Sequence, residues 1–294
     1  MTDVEKEHVA MVNPELPTAV DDSPEWGSRN LDLDAYLARI GYDGPRDNSS
    51  ETLRRLHRAH MSTVCFENID IALGRKVSVD LESIERKVVR AGRGGYCYES
   101  NLLFAAALDR FGFPVLRLLS RIREGDRKRR FRSHTCLLVR ADGEVWLADP
   151  GYGYAGLIEP IPWREGAVTT VADWTWRLVV DEGHWVLQVL RSGDWFDLYA
   201  FRPERQFAVD YQAAHYISST RPGSPFVGQL VVQRGTEKAR YLLRNNVLVT
   251  EYPDGREDRE ELSPADVVSV LRDVFELPLT EEDEHLLLRF LARF

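Results

Sequence analysis

Cys97 lies in the stretch of the chain whose residue types best fit covalent chemistry, RGGYCYESN between Arg93 and Asn101. The thiol follows two glycines and opens an apolar run with helical spacing, which predicts a helix that begins near Cys97 and ends before Gly112. At a helix start, unpaired N–H groups and the positive end of the dipole favour thiolate over thiol. The glycines let the main chain approach a bound carbonyl group, so that N–H donors could stabilise an oxyanion. The stretch therefore indicates a cysteine nucleophile, with a buried structural cysteine as the alternative.

A nucleophilic cysteine needs a base, and the base needs a group that orients it. His134 and Asp149 fit these roles if the segments on either side of the Asp142-Gly143 turn form a hairpin with a two-residue loop. That register places Cys136 opposite Asp149, and the strand period of two puts His134 and Asp149 on one face as diagonal neighbours. The simpler alternative is that Asp149 only begins an Asp-Pro-Gly turn and that His134 is a polar residue at a strand end.

The remaining cysteines and several histidines fit structural roles better than chemical ones. Cys65 precedes an apolar turn and Cys136 lies in the middle of a predicted strand, so both are interpreted as core residues. His57 and His60 fall on one helix face, where we expect them at the rim of the core. The chain lacks the Cys/His clustering of a zinc site and contains no HExxH, GxGxxG or phosphate-loop motif. We therefore expect no metal and no permanently bound cofactor.

Length and composition limit the class of protein. The chain has 294 residues, enough for two or three packed subdomains, with 44% hydrophobic and 29% charged residues, as in soluble globular proteins. No apolar run approaches the roughly 18 residues of a membrane helix, and the start of the chain does not resemble a secretory signal. A formal charge of −9 disfavours general nucleic-acid binding. With three cysteines, which cannot all pair, a cytoplasmic enzyme is the expectation.

The elements that must position the candidate residues change type along the chain. Residues 1–28 hold several acids and prolines and predict a loose extension. A capping box at Asn48 and Glu51 predicts the start of a helix, and helical periodicity continues to Gly112. Beyond it the period changes to two, and a last helix is predicted from Ser263. This order of helices, antiparallel sheet and mixed C-terminal part predicts an α+β fold.

Several blocks, taken in order, resemble those of the arylamine N-acetyltransferase family. Val64–Asp70 (VCFENID) resembles the family's Phe-Glu-Asn block, and Arg93–Asn101 resembles its Arg-Gly-Gly-aromatic-Cys-aromatic-Glu block. Ser133–Thr135 and Trp146–Gly153 (WLADPGYG) resemble its histidine and aspartate blocks. The resemblance covers roughly residues 30–250, and the cysteine block is highly specific.

The resemblance implies a fold and a set of site residues. The implied fold has an N-terminal helical domain, a central antiparallel β-barrel and a C-terminal α/β lid around a cysteine-protease-like Cys-His-Asp core. The family motifs assign the catalytic triad to Cys97, His134 and Asp149. They also assign a supporting ion pair to Arg93 and Glu67, for which a rim salt bridge of little energetic value is the alternative. The implied domains are a flexible N-terminal extension at 1–28, the helical domain carrying the nucleophile at 29–112, the barrel domain carrying histidine and aspartate at 113–210, and the lid at 211–294.

The resemblance also implies an activity. It is acyl transfer, typically of acetyl, from a co-substrate such as acetyl-coenzyme A to the nitrogen of a small aromatic amine or hydrazine through a Cys97 acyl-enzyme. Relatives with this triad are amide synthases, which release an acyl chain from an acyl carrier protein onto an aromatic amine, and this is the close alternative. A thiol hydrolase is a distant one, and a binding module without activity would require a broken triad. The implied partners include no nucleic acid and no membrane, and the sequence does not indicate an oligomeric state.

A basic run precedes the histidine block in this otherwise acidic chain. Arg127, Lys128, Arg129 and Arg130 follow one another a few residues before His134. Because a connection that leads into the histidine strand is expected near the mouth of the site, the run could bind the phosphates of coenzyme A or the acidic surface of a carrier protein. A solvated loop is the alternative.

Overall fold

The structure is a computed structural model that describes residues 20, 23–125, 128 and 130–294. Its α-helices are α1 (Leu33–Arg39), α2 (Ser50–Thr63), α3 (Ile69–Ala72), α4 (Leu81–Ile84), α5 (Cys97–Phe111), α6 (Ala208–Thr220), α7 (Pro264–Asp273) and α8 (Glu281–Leu291). Its strands are β1 (Phe66–Glu67), β2 (Val115–Ile122), β3 (His134–Ala141), β4 (Glu144–Ala148), β5 (Ile161–Pro162), β6 (Val168–Val171), β7 (Trp174–Asp181), β8 (His184–Arg191), β9 (Asp194–Phe201), β10 (Val231–Gly235), β11 (Arg240–Arg244), β12 (Val247–Glu251) and β13 (Glu257–Glu261).

Helix α5 is the central element of the helical part, and its predicted bounds are confirmed. It begins at Cys97 and ends at Phe111, and Gly112 caps it with a φ of 84°, the left-handed conformation that glycine adopts without strain. The start of α2 was predicted one residue early. Ser49 is the N-cap, because its side chain accepts from the Thr52 N–H, whereas the Asn48 side chain donates to the Gly112 carbonyl.

An eight-stranded antiparallel sheet forms the middle of the chain and curls into an almost closed barrel, as expected. Its strand order is β5-β4-β3-β2-β9-β8-β7-β6. The predicted hairpin around Asp142-Gly143 is present, and the β3–β4 ladder pairs Leu138 with Leu147 and Leu137 with Ala148. Continued by one pair, this register sets Cys136 against Asp149, as predicted.

A second sheet, in the order β1-β10-β11-β12-β13, packs with α7 and α8 in the C-terminal part. Strand β1 comes from the N-terminal helical part of the sequence but pairs with β10. The second sheet therefore includes residues that contact the loop before Cys97. Elements α6, β12, β13 and α8 were not among the predicted segments. The domain boundaries stay predictions.

Most of the predicted N-terminal extension lies outside the described residues. At its end, Pro24–Trp26 form a 3₁₀ turn, and the buried Trp26 ring meets Tyr211 edge-on at 5.2 Å between ring centroids. The Arg117 guanidinium lies 4.6 Å from the centre of the same ring. The last residues of the extension therefore pack against Arg117 of strand β2 and against α6.

Three apolar cores lie under the helical part, inside the barrel and between the second sheet and α7–α8. Cys97 belongs to the first core and Cys136 to the second, so the histidine strand separates the two. Within the described residues, none of the helices combines the length and apolarity required to span a bilayer.

Candidate active site

The loop before Cys97 is pressed against the residues that follow α2. The Gly95 N–H donates to the Cys65 carbonyl at 3.1 Å, and the Gly95 carbonyl accepts from the Glu67 N–H at 3.2 Å. A Cβ atom on Gly94 would lie only 2.1 Å from the Cys65 carbonyl oxygen. Glycine is therefore required at this position by close contact with the Cys65 main chain, and the predicted approach of the glycines to a bound carbonyl group stays a prediction.

Cys97 is the first residue of α5 and is buried. Burial raises the pKa of its thiol, and the carboxylates of Asp149 and Glu99 raise it further, whereas the N–H groups of Tyr98 and Thr135 lower it. The net effect is that the pKa of the Cys97 thiol is raised. The helix start alone therefore does not hold a thiolate here, and a neighbouring cation is needed.

His134 and Asp149 are brought together as predicted. His134 Nε2 lies 2.7 Å from Asp149 Oδ2, and both side chains are buried. Because a carboxylate only accepts, Nε2 carries the hydrogen of this bond and Nδ1 is left for another partner. The Cys97 thiol donates to the Ser133 carbonyl at 3.8 Å, so the sulfur lies next to the residue that precedes His134.

Asp149 is held through its second oxygen as well. Oδ1 accepts from Asn101 Nδ2 at 2.9 Å and from the Gly151 N–H at 3.2 Å. Asn101 lies one turn beyond Cys97 on α5 and also donates to the Thr135 carbonyl at 2.7 Å. The helix that carries the thiol is thereby tied to the strand and loop that carry the imidazole and the carboxylate.

A buried group of charges lies beneath the cysteine loop. Arg93 Nη2 is 2.8 Å from Glu67 Oε1, so the pair implied by the family motifs is in contact. Lys87 Nζ lies 3.0 Å from Glu99, 3.4 Å from Glu67 and 3.1 Å from Asp70. Burial alone would lower the pKa of Lys87, but these three carboxylates raise it well above its ordinary value. Two cations, Lys87 and Arg93, thus pair with the three carboxylates beneath the nucleophile.

We predict that Arg93→Met lowers the free energy of unfolding by about 3–5 kcal/mol, because it leaves a buried carboxylate short of a partner. The Glu67 side chain is 0% exposed, so the rim salt bridge considered above does not apply. Arg86→Met is the control, since the Arg86–Glu82 pair is 3.0 Å long but 67% and 88% exposed, and its loss should cost less than about 1 kcal/mol. Urea denaturation of both variants checks the difference, and equal losses would show that burial of the pair has no energetic consequence.

The remaining cysteines and three of the other histidines lie in the interior of the protein. Cys65 and Cys136 are buried, as expected. His57 and His60 are fully buried in the core rather than at its rim. His215 lies on the buried side of α6, where its Nδ1 accepts from the Tyr96 hydroxyl and its Nε2 donates to the Val77 carbonyl.

Of the basic run, Arg127 and Arg129 lie outside the described residues. Lys128 is exposed, and the Arg130 side chain donates to the carbonyls of Ile122 and Arg123. Throughout the described part of the chain, no group of three or more His, Cys, Asp or Glu side chains is placed to hold a metal ion.

Three site residues were missed by sequence reasoning. Lys87 lies in a π-helical segment, Glu85–Arg90. The sequence pattern did not indicate that this segment departs from α-helical geometry. Asn101 stood within the quoted cysteine block but received no role. His57 contacts the Asp149 main chain across 92 positions of sequence, a contact that local spacing does not predict.

An α+β fold with a thiol at a helix start, next to an imidazole–carboxylate pair, is the arrangement used by thiol-dependent enzymes of acyl transfer and hydrolysis. Comparisons with known proteins separate these classes. A family model described as N-acetyltransferase matches residues 49–284. The arylamine N-acetyltransferase of Escherichia coli K12 is 34% identical over 248 residues, which are 83% of this chain and 88% of that protein.

Solved structures agree. The arylamine N-acetyltransferase of Nocardia farcinica superposes with a TM-score of 0.87 at 37% identity, over 92% of this chain and 100% of that one. The Mycobacterium marinum arylamine N-acetyltransferase in complex with CoA gives a TM-score of 0.84 at 31% identity, over 89% and 99% of the two chains. The chain belongs to the arylamine N-acetyltransferase family.

This membership confirms the predicted family, the α+β fold and the acyltransferase class. The CoA bound to the Mycobacterium marinum relative agrees with the expected coenzyme A thioester as co-substrate.

Proposed function

We propose that this protein transfers an acyl group, typically acetyl, from a coenzyme A thioester to the nitrogen of an arylamine or hydrazine through a thioester on Cys97. One observation carries the proposal: Cys97 opens α5 against the Ser133 carbonyl, and the adjoining His134 has its far nitrogen held by Asp149. The names of the relatives support the amine class, and the CoA-bound relative supports the donor class.

In the first half-reaction the Cys97 proton moves to His134 Nδ1, the nitrogen that Asp149 leaves available. The thiolate attacks the carbonyl carbon of the donor thioester, a new C–S bond forms, and an oxyanion develops. The bond to the coenzyme A sulfur then breaks, and this sulfur leaves with the proton held by His134. The imidazolium, paired with Asp149, is the cation that offsets the unfavourable burial of the thiolate.

In the second half-reaction the amine nitrogen attacks the acyl-enzyme carbonyl. A C–N bond forms, His134 takes a proton from the nitrogen, and the Cys97 sulfur is released with a proton returned to it. The products are an N-acylated amine and the free enzyme, and no redox step occurs.

The burial of the site favours a transferase over a hydrolase. Cys97 and His134 are only 2% and 3% exposed, so bulk water has little access to a thioester on the Cys97 sulfur. A water-excluded acyl-enzyme persists until an amine enters, which is the condition for transfer rather than hydrolysis.

The test is steady-state kinetics with acetyl-CoA and an arylamine, each varied against the other. The proposal expects parallel double-reciprocal lines and release of free CoA from acetyl-CoA before any amine is added. Intersecting lines together with no CoA release before amine addition would contradict a Cys97 acyl-enzyme.

One observation favours the amide synthase as a second candidate. The outer face of α6 exposes Val209, Tyr216 and Ile217, and Arg132, two residues beyond the basic run, lies 3.0 Å from Glu204 in the segment before this helix. Exposed apolar residues near a cationic side chain suit an acidic protein partner better than a small donor. An acyl carrier protein is therefore the alternative donor.

We predict that replacing Arg127, Lys128 and Arg129 by Ser separates the two donors. The specificity constant for the physiological donor should fall and its salt dependence should flatten, because three steering charges are lost. Arg130 is retained because its side chain donates to main-chain carbonyls of the barrel edge. A loss confined to an acyl-carrier-protein thioester supports the amide synthase, and a loss confined to acetyl-CoA supports the acetyltransferase.

Two controls accompany this variant. Replacing the exposed Arg256, Arg259 and Arg289 by Ser changes the net charge equally at other places and should leave both donors unaffected. Hydrolysis of an uncharged aryl ester should also be unchanged, because Cys97 is untouched. If the basic-run variant transfers from both donors at the wild-type rate at low salt, the run is a solvated loop and the steering argument is wrong.

A further inference from the structure

His57 is a fully buried histidine on α2 that contacts main-chain groups of the barrel. Its Nε2 lies 3.0 Å from the Asp149 nitrogen, and its Nδ1 lies 3.1 Å from the Ile158 carbonyl oxygen. Because an N–H can only donate and a carbonyl can only accept, Nε2 must be the unprotonated acceptor and Nδ1 must carry the hydrogen. His57 is thus a neutral imidazole held in one tautomer by two main-chain partners.

These two partners are the ends of one loop, residues 149–158, which we name the aspartate loop. Its first residue supplies the carboxylate that holds His134. Its Tyr152 ring lies edge-on to the His134 ring, with 5.2 Å between ring centroids. His57, a residue of the helical part, therefore hydrogen-bonds to both ends of the aspartate loop. This loop orients the His134 imidazole through Asp149 and packs against it through Tyr152.

The hydrogen bonds of Asp149 divide into two groups with different effects. Asn101 and the Gly151 N–H fix the rotation of its carboxylate through Oδ1. The bond to His57 fixes its main chain, from which the carboxylate extends. A displacement of that peptide would lengthen the 2.7 Å contact with His134, however well the side chain itself is held.

We propose that His57 is a positioning residue for the His134–Asp149 pair and acts as a neutral acceptor for the Asp149 N–H. The inference rests on the proposed thiolate–imidazolium mechanism, and it assigns to α2 the task of setting the Asp149 peptide. Burial lowers the pKa of His57 to about 4, which is consistent with a neutral ring throughout the working range of an enzyme.

The test measures the pH dependence of alkylation at Cys97, followed by peptide mass mapping, in His57→Phe. Phenylalanine keeps the ring volume and the edge-on contact with Phe104 but removes the acceptor. The expected result is an upward shift of the pH midpoint and a fall of roughly tenfold to a hundredfold in rate at neutral pH, as for groups that orient functional ligands. A midpoint equal to that of the wild type would overturn the proposal.

His60→Phe is the matched control. His60 is one turn further along α2, is equally buried and also packs against Phe104, but it bonds to the Tyr36 and Ser100 hydroxyls. This variant should lose comparable stability without moving the alkylation midpoint. If both variants shift the midpoint equally, the effect is general loosening and the proposed role of His57 is wrong.

A double-mutant cycle with Asp149→Asn gives the sharpest result. If His57 acts through Asp149, His57→Phe should move the midpoint in the wild-type background and have little further effect in the Asp149→Asn background. Equal shifts in both backgrounds would contradict the proposal. If Asp149→Asn itself leaves the midpoint unchanged, the triad mechanism fails instead, so the two failures are distinguishable.

Two measurements keep the inference testable if His57→Phe does not fold. His57→Gln places an amide oxygen near the position of Nε2 and should restore most of the wild-type midpoint. Nitrogen NMR of the wild-type protein should show the Nδ1–H tautomer for His57. An Nε2–H tautomer, or a folded glutamine variant with an alkylation midpoint as far displaced as that of Asp149→Asn, would overturn the assignment.

Discussion

Replacing Cys97 by alanine is expected to abolish acyl transfer, by a factor on the order of 10⁶, while the protein stays folded. The substitution removes the only atom that forms the proposed thioester and little of the packing, since it deletes one sulfur from a buried helix start. Transfer from acetyl-CoA to an arylamine, with circular dichroism as the check on folding, measures this.

Cys136→Ala is the matched comparison for that result. Cys136 is also buried, but it faces the barrel core among apolar residues, so its loss should leave most of the activity. A Cys136 variant as inactive as Cys97→Ala, with both proteins folded, would contradict the assignment of the nucleophile.

Asp149→Asn is expected to lower the rate by a factor on the order of 10⁴, as in other triads where the carboxylate stabilises an imidazolium. Asp149 has two opposite effects on thiolate formation at Cys97, and this variant removes both. The Asp149 charge directly raises the pKa of the Cys97 thiol, but through its 2.7 Å contact it stabilises a proton on His134. The effect on His134 should dominate, because the carboxylate is in direct hydrogen-bond contact with the imidazole.

Alkylation of Cys97 against pH gives the sign of the Asp149→Asn effect. The wild-type thiol should react well below the ordinary thiol pKa of about 8.5, and the variant's midpoint should move upward. A downward shift would mean that direct repulsion dominates, and it would rule out the coupling of the thiol to the His134–Asp149 pair.

The residues proposed to react could be singled out from the sequence because their environments are local. Cys97 is placed by the two glycines and the helix that follows, and the facing of His134 and Asp149 comes from a two-residue turn and the strand period. The residues that contact or neighbour these groups from distant elements could not be predicted in this way. Lys87 depends on a π-helical segment, and His57 on a contact between α2 and a loop 92 positions later.

Some helices and strands were not predicted because they too lack a local signal in the sequence. Helix α6 exposes apolar Val209, Tyr216 and Ile217 together with polar residues such as Gln212, so its apolar residues show no single stripe. Strand β13 reads EDREE and is fully exposed, so no alternation of apolar residues marks it as a strand. Its pairing with β12 is supplied by the sheet edge rather than by its own side chains.

Intact-mass spectrometry of the protein after brief incubation with acetyl-CoA, followed by peptide mapping, detects the proposed Cys97 thioester itself. We predict a mass increase of about 42 Da, an acetyl group replacing a hydrogen, located on the peptide that contains Cys97. The adduct should disappear when an arylamine is added and should be absent from Cys97→Ala. An unmodified mass under conditions in which acetylated amine is formed, or an adduct on any other residue, would contradict a Cys97 acyl-enzyme.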